Sequence, residues 1–165
     1  MPAGSTYSTI ATTTLGSAAS SYTFSSIPST YTDLVLVASG LGSANTGVGM
    51  QFNNDTGTNY SGIFLEGNGT TAVSERQTSA GSIRVAWNSL WDTSTIANIV
   101  INIQNYSNTT TYKTSINRSN NSARYAEAIV GLWRSTAAIN SIKLSGSSAN
   151  FAAGSTFTLY GIASA

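Results

Sequence analysis

The run Ala97-Asn98-Ile99-Val100-Ile101-Asn102-Ile103 puts an apolar residue at every second position, with Asn98 and Asn102 between them. A helix turns by about 100° per residue and would mix the two sets on one face. A strand separates them, because successive side chains point to opposite sides. The same period of two recurs at Val48, Met50 and Phe52 against Gly49 and Gln51. It recurs again at Ile83, Val85 and Trp87 against Arg84, Ala86 and Asn88, and at Tyr22 and Phe24 against Thr23. Residues 33–39 (DLVLVAS) form a nearly continuous apolar run, short enough for a strand buried on both faces. Further strands are expected near residues 9–15, 60–65, 110–116, 124–133, 139–144 and 156–162.

Turn formers separate these runs: Ile27-Pro28-Ser29, Asn53-Asn54-Asp55-Thr56-Gly57, Glu66-Gly67-Asn68-Gly69, Ser119-Asn120-Asn121 and Ser145-Gly146-Ser147. Gly and Asn tolerate the positive φ that tight turns demand. About ten short strands with no amphipathic helix predict an all-β chain, an antiparallel β-sandwich of jelly-roll-like type. Residues 9–165 then form a single domain, preceded by an extended arm over residues 1–8. Residues 68–81 (NGTTAVSERQTSAG) lack a clear pattern and are expected as a long loop.

Composition removes several functions. The 165 residues include no His and no Cys, which excludes Cys/His metal sites, Ser-His-Asp triads and thiol chemistry. A net charge of +1, with seven dispersed basic residues, is too small for nucleic-acid binding. No apolar run approaches the roughly 20 residues of a membrane-spanning helix. The opening residues lack both a basic start and an apolar stretch, so no secretory leader is expected. Charged residues are only 8% of the chain, while Ser, Thr and Asn number 27, 23 and 15. Such a surface costs little to desolvate and suits close packing against copies of itself, with adaptation to saline surroundings as the alternative.

Little in the chain points to catalysis. The six acids, Asp33, Asp55, Glu66, Glu75, Asp92 and Glu127, lie singly, and structural roles are expected for them. The segment Asn53 to Gly57 has the oxygen-rich look of a calcium loop but offers one acid, so a turn explains it better. Seven Asn-X-Ser/Thr triplets occur where chance alone gives roughly 4 to 5, and no glycosylation is expected. Trp87, Trp91 and Trp133 suit the core, a subunit interface or a sugar-stacking platform. Neither a cofactor nor a metal is expected.

Two longer stretches carry a resemblance. One runs through residues 6–17 (TYSTIATTTLGS), 22–28 and 31–37; the other through residues 139–142 and 150–162. With Gln51-Phe52-Asn53 and the turn at residues 55–60, they resemble small β-sandwich virion proteins of tailed bacteriophages. Residues 68–81 are the least similar part. The resemblance implies a structural protein without enzymatic activity, often a homotrimer, assembled in the host cytoplasm. It implies either of two placements. A capsid decoration (cement) protein would bind the major capsid protein on the capsid exterior and stabilise the shell. A tail-fibre or receptor-binding domain would grip host-surface glycans, with Trp87, Trp91 and Trp133 as candidate platforms. Decoration is the expectation, because strands fill the chain and leave no room for a fibre shaft. Met1, Pro2, Ala3, Gly4, Ser5 and Thr6 would then be an arm touching the capsid.

Overall fold

The computed structural model describes residues 6–163, the Asn88 side chain excepted. Its strands are β1 (Tyr7–Thr14), β2 (Ser21–Phe24), β3 (Asp33–Gly40), β4 (Thr46–Phe52), β5 (Tyr60–Gly67) and β6 (Ala72–Ala80). There follow β7 (Ile83–Trp91), β8 (Ala97–Ile103), β9 (Lys113–Asn121), β10 (Tyr125–Trp133), β11 (Ile142–Gly146) and β12 (Thr156–Ile162). A large sheet has the order β1-β12-β3-β8-β9-β10-β5-β6, and a small one β2-β11-β4-β7. All pairs are antiparallel. The fold is therefore the antiparallel, jelly-roll-like β-sandwich that the alternation predicts.

The core lies between the sheets. On β8, Ala97, Ile99, Ile101 and Ile103 are all buried, as their spacing requires. Each of the three isoleucines contributes about 1.5–3 kcal/mol of transfer free energy. One aromatic cluster joins Trp91 to Phe151 at 5.0 Å and stacks it on Phe157 at 6.2 Å between ring centroids. A second brings Phe52 and Tyr60 to within 5.5 and 6.3 Å of Trp133. Burial pushes the Tyr60 phenol up to about 12, so it stays protonated and donates to the Asp55 and Phe52 carbonyls. Gly131 on β10 lets β7 approach closely, since a Cβ there would lie 2.6 Å from an Ile83 side-chain carbon.

Strand β9 is polar on its inner face. Lys113, Ser115, Asn117, Ser119 and Asn121 are buried, whereas Ile116 between them is 53% exposed. The strand packs against β7, which ends the small sheet and has no strand on its far side. Buried backbone groups left without a strand need other partners. Side chains of the large sheet supply them: Asn121 Nδ2 donates to the Leu90 carbonyl at 2.8 Å, and the Trp87 N–H donates to the Glu127 carboxylate at 3.0 Å. Gln77 accepts from the Arg84 N–H at 3.3 Å. Lys113 stays buried by donating to the Thr111 and Thr136 carbonyls.

Several expectations are corrected. Residues 68–81 are not a long loop, because 72–80 form β6; this edge strand is exposed on both faces and so carries no apolar alternation. Ser119, Asn120 and Asn121 do not turn. They end β9, and the turn follows at Ser122, Ala123 and Arg124, closed by the Arg124 N–H to Asn121 carbonyl bond at 2.9 Å. The strand expected over 110–116 starts at Lys113, since Asn108 Oδ1 caps a turn at the Thr110 and Thr111 N–H groups. β1 already begins at Tyr7, inside the expected arm, because its pairing with β12 extends to Tyr7–Ile162.

Buried Asn117 and Asn121 differ in kind. Both amide atoms of Asn117 lack a hydrogen-bond partner among the described residues, whereas the Asn121 side chain makes four bonds. An unmade buried bond is destabilising, and a made one is costly to remove. Asn117→Leu should therefore raise unfolding free energy by about 1–2 kcal/mol, and Asn121→Leu should lower it by about 2 kcal/mol. Urea melts of the two variants check this opposite sign.

Candidate functional site

The tryptophans do not form a platform. Trp91 is fully buried and Trp133 2% exposed; both fill the space between the sheets, which corrects the reading of them as glycan-binding. Trp133 also donates its indole N–H to Asp55 at 2.7 Å. Trp87 is half-buried beneath the Arg84 guanidinium, whose carbon lies 4.4 Å from the ring centroid and 5.0 Å from that of Phe64. Of the expected capsid arm, residues 1–5 lie outside the described residues. Thr6 is exposed, and its carbonyl accepts from the Ala163 N–H at 3.1 Å.

Three of the acids serve turns. Asp55 accepts from the Gly57 N–H, Asn59 Nδ2 and Trp133 Nε1, which accounts for the segment Asn53 to Gly57 as a turn. The Trp133 and Asn59 donors hold its carboxyl below the ordinary range. Asp92 accepts from Ser94, Thr95, Asn121 and Arg124. Burial opposes its ionisation, but these donors outweigh burial and hold it well below the usual carboxylate range. Asp33 accepts from the Asn105 N–H at 2.6 Å.

The other three acids converge, as their scatter along the chain does not suggest. Glu66 and Glu127 are direct cross-strand partners on the inner face of β5 and β10, and Glu75 on β6 pairs with Arg84 at 3.5 Å. Burial raises the Glu127 carboxyl, partly offset by the hydrogen bonds from Ser119 and the Trp87 N–H. Burial and the neighbouring Glu75 charge raise Glu66. Glu127 thus braces the two sheets, its oxygens held by internal donors.

The outer face of the large sheet is different. Ile63, Val130 and Ile116 lie side by side across β5, β10 and β9, with Leu65 beside Ala128 one row along. All four large side chains are more than half exposed, at 55, 51, 53 and 55% in the order Ile63, Val130, Ile116, Leu65. Arg76 stands opposite Ile63 and Arg118 opposite Ala128, while Arg134 follows β10. Arg76 and Arg134 flank an open cleft of about 370 Å³ that also presents Ser61, Thr78, Thr114 and Leu132. Among the described residues none of these three arginines forms a salt bridge. No acid shares this face on β5, β6, β9 or β10, because Glu66, Glu75 and Glu127 point inward by alternation. The hydrophobic run at Ile63-Phe64-Leu65 reads as core on both faces, and only the missing covering layer makes half of it surface.

No protein-family model matches this chain, and no curated protein matches it. Among solved structures, exo-inulinase from Aspergillus awamori aligns with a TM-score of 0.51 at 14% identity over 94% of this chain and 29% of the other. The chain thus spans less than a third of the length of that enzyme. Galectin LEC-6 from Caenorhabditis elegans aligns at a TM-score of 0.40 with 6% identity, over 93% of this chain and 96% of its own. The exo-inulinase likeness is one of fold alone, and the galectin likeness is too loose to bear on function.

The carboxylates set the pH response. Asp55 and Asp92 lie below 3.8, so their stabilisation is present above that value and is lost as pH falls through the lowered values. Glu66 and Glu127 lie above 4.5, so theirs is full below that value and is lost as pH rises through the raised ones. Thermal stability should peak near about pH 4–5, and Glu127→Gln should flatten the decline toward neutrality. A wild-type melting temperature that climbs steadily from pH 4.5 to 7 would contradict the assignment.

Proposed function

We propose that this chain is a bacteriophage virion structural protein, a capsid decoration protein that binds the outer shell and stabilises it without catalysis. The observation that carries this reading is the uncovered aliphatic row Ile63, Val130 and Ile116 with Leu65 beside it. Contiguous exposed apolar patches mark interaction surfaces. Flat aliphatic contact suits a protein partner better than a sugar, which stacks on aromatic rings. Many copies bound weakly reinforce a shell through multivalency. The resemblance to small phage virion proteins and the low charge support the same reading, with the major capsid protein and further copies of this chain as partners.

One observation favours a second reading, a tail-fibre or receptor-binding domain. The cleft between Arg76 and Arg134 presents the hydroxyls of Ser61, Thr78 and Thr114, a combination suited to an acidic glycan. Cryo-electron microscopy of the intact particle separates the two readings. Density on the outer capsid shell is expected; density confined to the tail would overturn the decoration reading. On purified particles, the double variant Ile63→Asp/Val130→Asp should weaken shell binding at least about tenfold, the effect of about 1.4 kcal/mol in total. The two aspartates would face each other across β5 and β10 and lower the melting temperature, so Ile63→Thr/Val130→Thr, which keeps the β-branching, serves as the fold control and should lose occupancy while melting near the wild type.

A further inference from the structure

The chain carries net charge +1, yet its charges are not mixed in space. Glu66, Glu75 and Glu127 point inward, Asp55 and Asp92 are occupied in turns, and Asp33 opens β3, two strands from β9, where it accepts from the Asn105 N–H. Arg76, Arg118 and Arg134 all stand on the outer face of β5, β6, β9 and β10, where no acid accompanies them. Ile63 and Val130 occupy the floor between these cations. Three guanidinium groups left without a counter-charge around an apolar floor form half of a charge-complementary interface. Arginine also offers paired donors that match a carboxylate in plane.

We propose that the cleft between Arg76 and Arg134, continued across Ile63 and Val130 to Arg118, binds an acidic, aliphatic-rich protein segment. Carboxylates of the segment accept from the arginines, and its aliphatic side chains cover the exposed row. A protein segment is favoured over a uronate glycan because the row is aliphatic: no aromatic side chain stands on the outer face of these four strands. This inference deepens the decoration reading, in which the segment belongs to the capsid shell. It differs from that reading in being testable on the isolated protein.

The test is an NMR titration of the folded, full-length protein with a short peptide of alternating Glu and Leu. Parallel titrations use an alternating Lys and Leu peptide and an oligouronate. Amide shifts should cluster on β5, β6, β9 and β10 with the acidic peptide, weaken as salt rises, and be absent with the basic one. Arg76→Ala/Arg134→Ala should weaken the acidic peptide about tenfold or more, whereas Lys143→Ala, on the small sheet, should leave it unchanged. No shift at about 5 mM acidic peptide, or shifts elsewhere, overturns the inference, since that limit already allows for millimolar binding. Tighter binding of the oligouronate at the same amides also overturns it and moves the site to a glycan. Shell occupancy that is lost in Ile63→Asp/Val130→Asp but kept in the arginine variant leaves decoration standing without the acidic segment. Acidic-peptide binding together with tail density does the reverse.

Discussion

The unpaired side of β7 governs this sandwich. Eight strands face four, so β7 ends the small sheet above the middle of the large one rather than beside another strand. Its backbone groups are out of reach of water there and must be satisfied from below. Glu127 on β10, Asn121 on β9 and Gln77 on β6 do so with side chains, and the inter-sheet surface along β9 is polar where it would ordinarily be apolar. Alternation then fixes the consequence. With polar residues turned inward on β9, Ile116 has only the outside left to it, beside Val130 and Ile63. The polar inter-sheet surface and the uncovered patch have one origin, the reversed alternation of β9.

That origin also decides what sequence reasoning can see. Strand β8 is legible because both of its faces have ordinary environments, Ile inside and Asn outside. Strand β9 has the same alternation with the sense reversed, and no local feature of KTSINRSNN reveals which set faces in. Only the position of β7, a tertiary fact, settles it. Strand β6 is invisible for another reason: with both faces wet, nothing selects one parity of side chain over the other. Trp91 and Trp133 were open between core and surface, and packing decides for the core. The patch was hidden because Ile63-Phe64-Leu65 looks the same whether one face or both are covered. The pairing of Glu66 with Glu127 depends on which strands become neighbours, and neighbouring acids are far apart in the chain.

Near-neutrality here conceals a division of labour among the charges. Most acids are spent as turn acceptors or on the inner face between the sheets, where donors lower Asp55 and Asp92 and burial raises Glu66 and Glu127. Half-buried Arg84 and buried Lys113 belong to that interior system too, one lying over aromatic rings and the other tying two carbonyls together. Arg76, Arg118 and Arg134 remain as outward charge. A chain with so few ionisable groups can therefore present a surface of one sign.

The pairing of β1 with β12 has a topological consequence. Tyr7 lies opposite Ile162, so the two ends of the described chain leave the fold side by side, at the edge of the large sheet opposite β6. Seven interstrand steps of about 4.8 Å place that edge roughly 34 Å from β6. A short linker could join these ends, and new ones could open in the exposed β5–β6 hairpin around Gly69, giving a circular permutant. In the native connectivity, anything fused at either end would project from the side of the sandwich remote from the arginine cleft, leaving that face free.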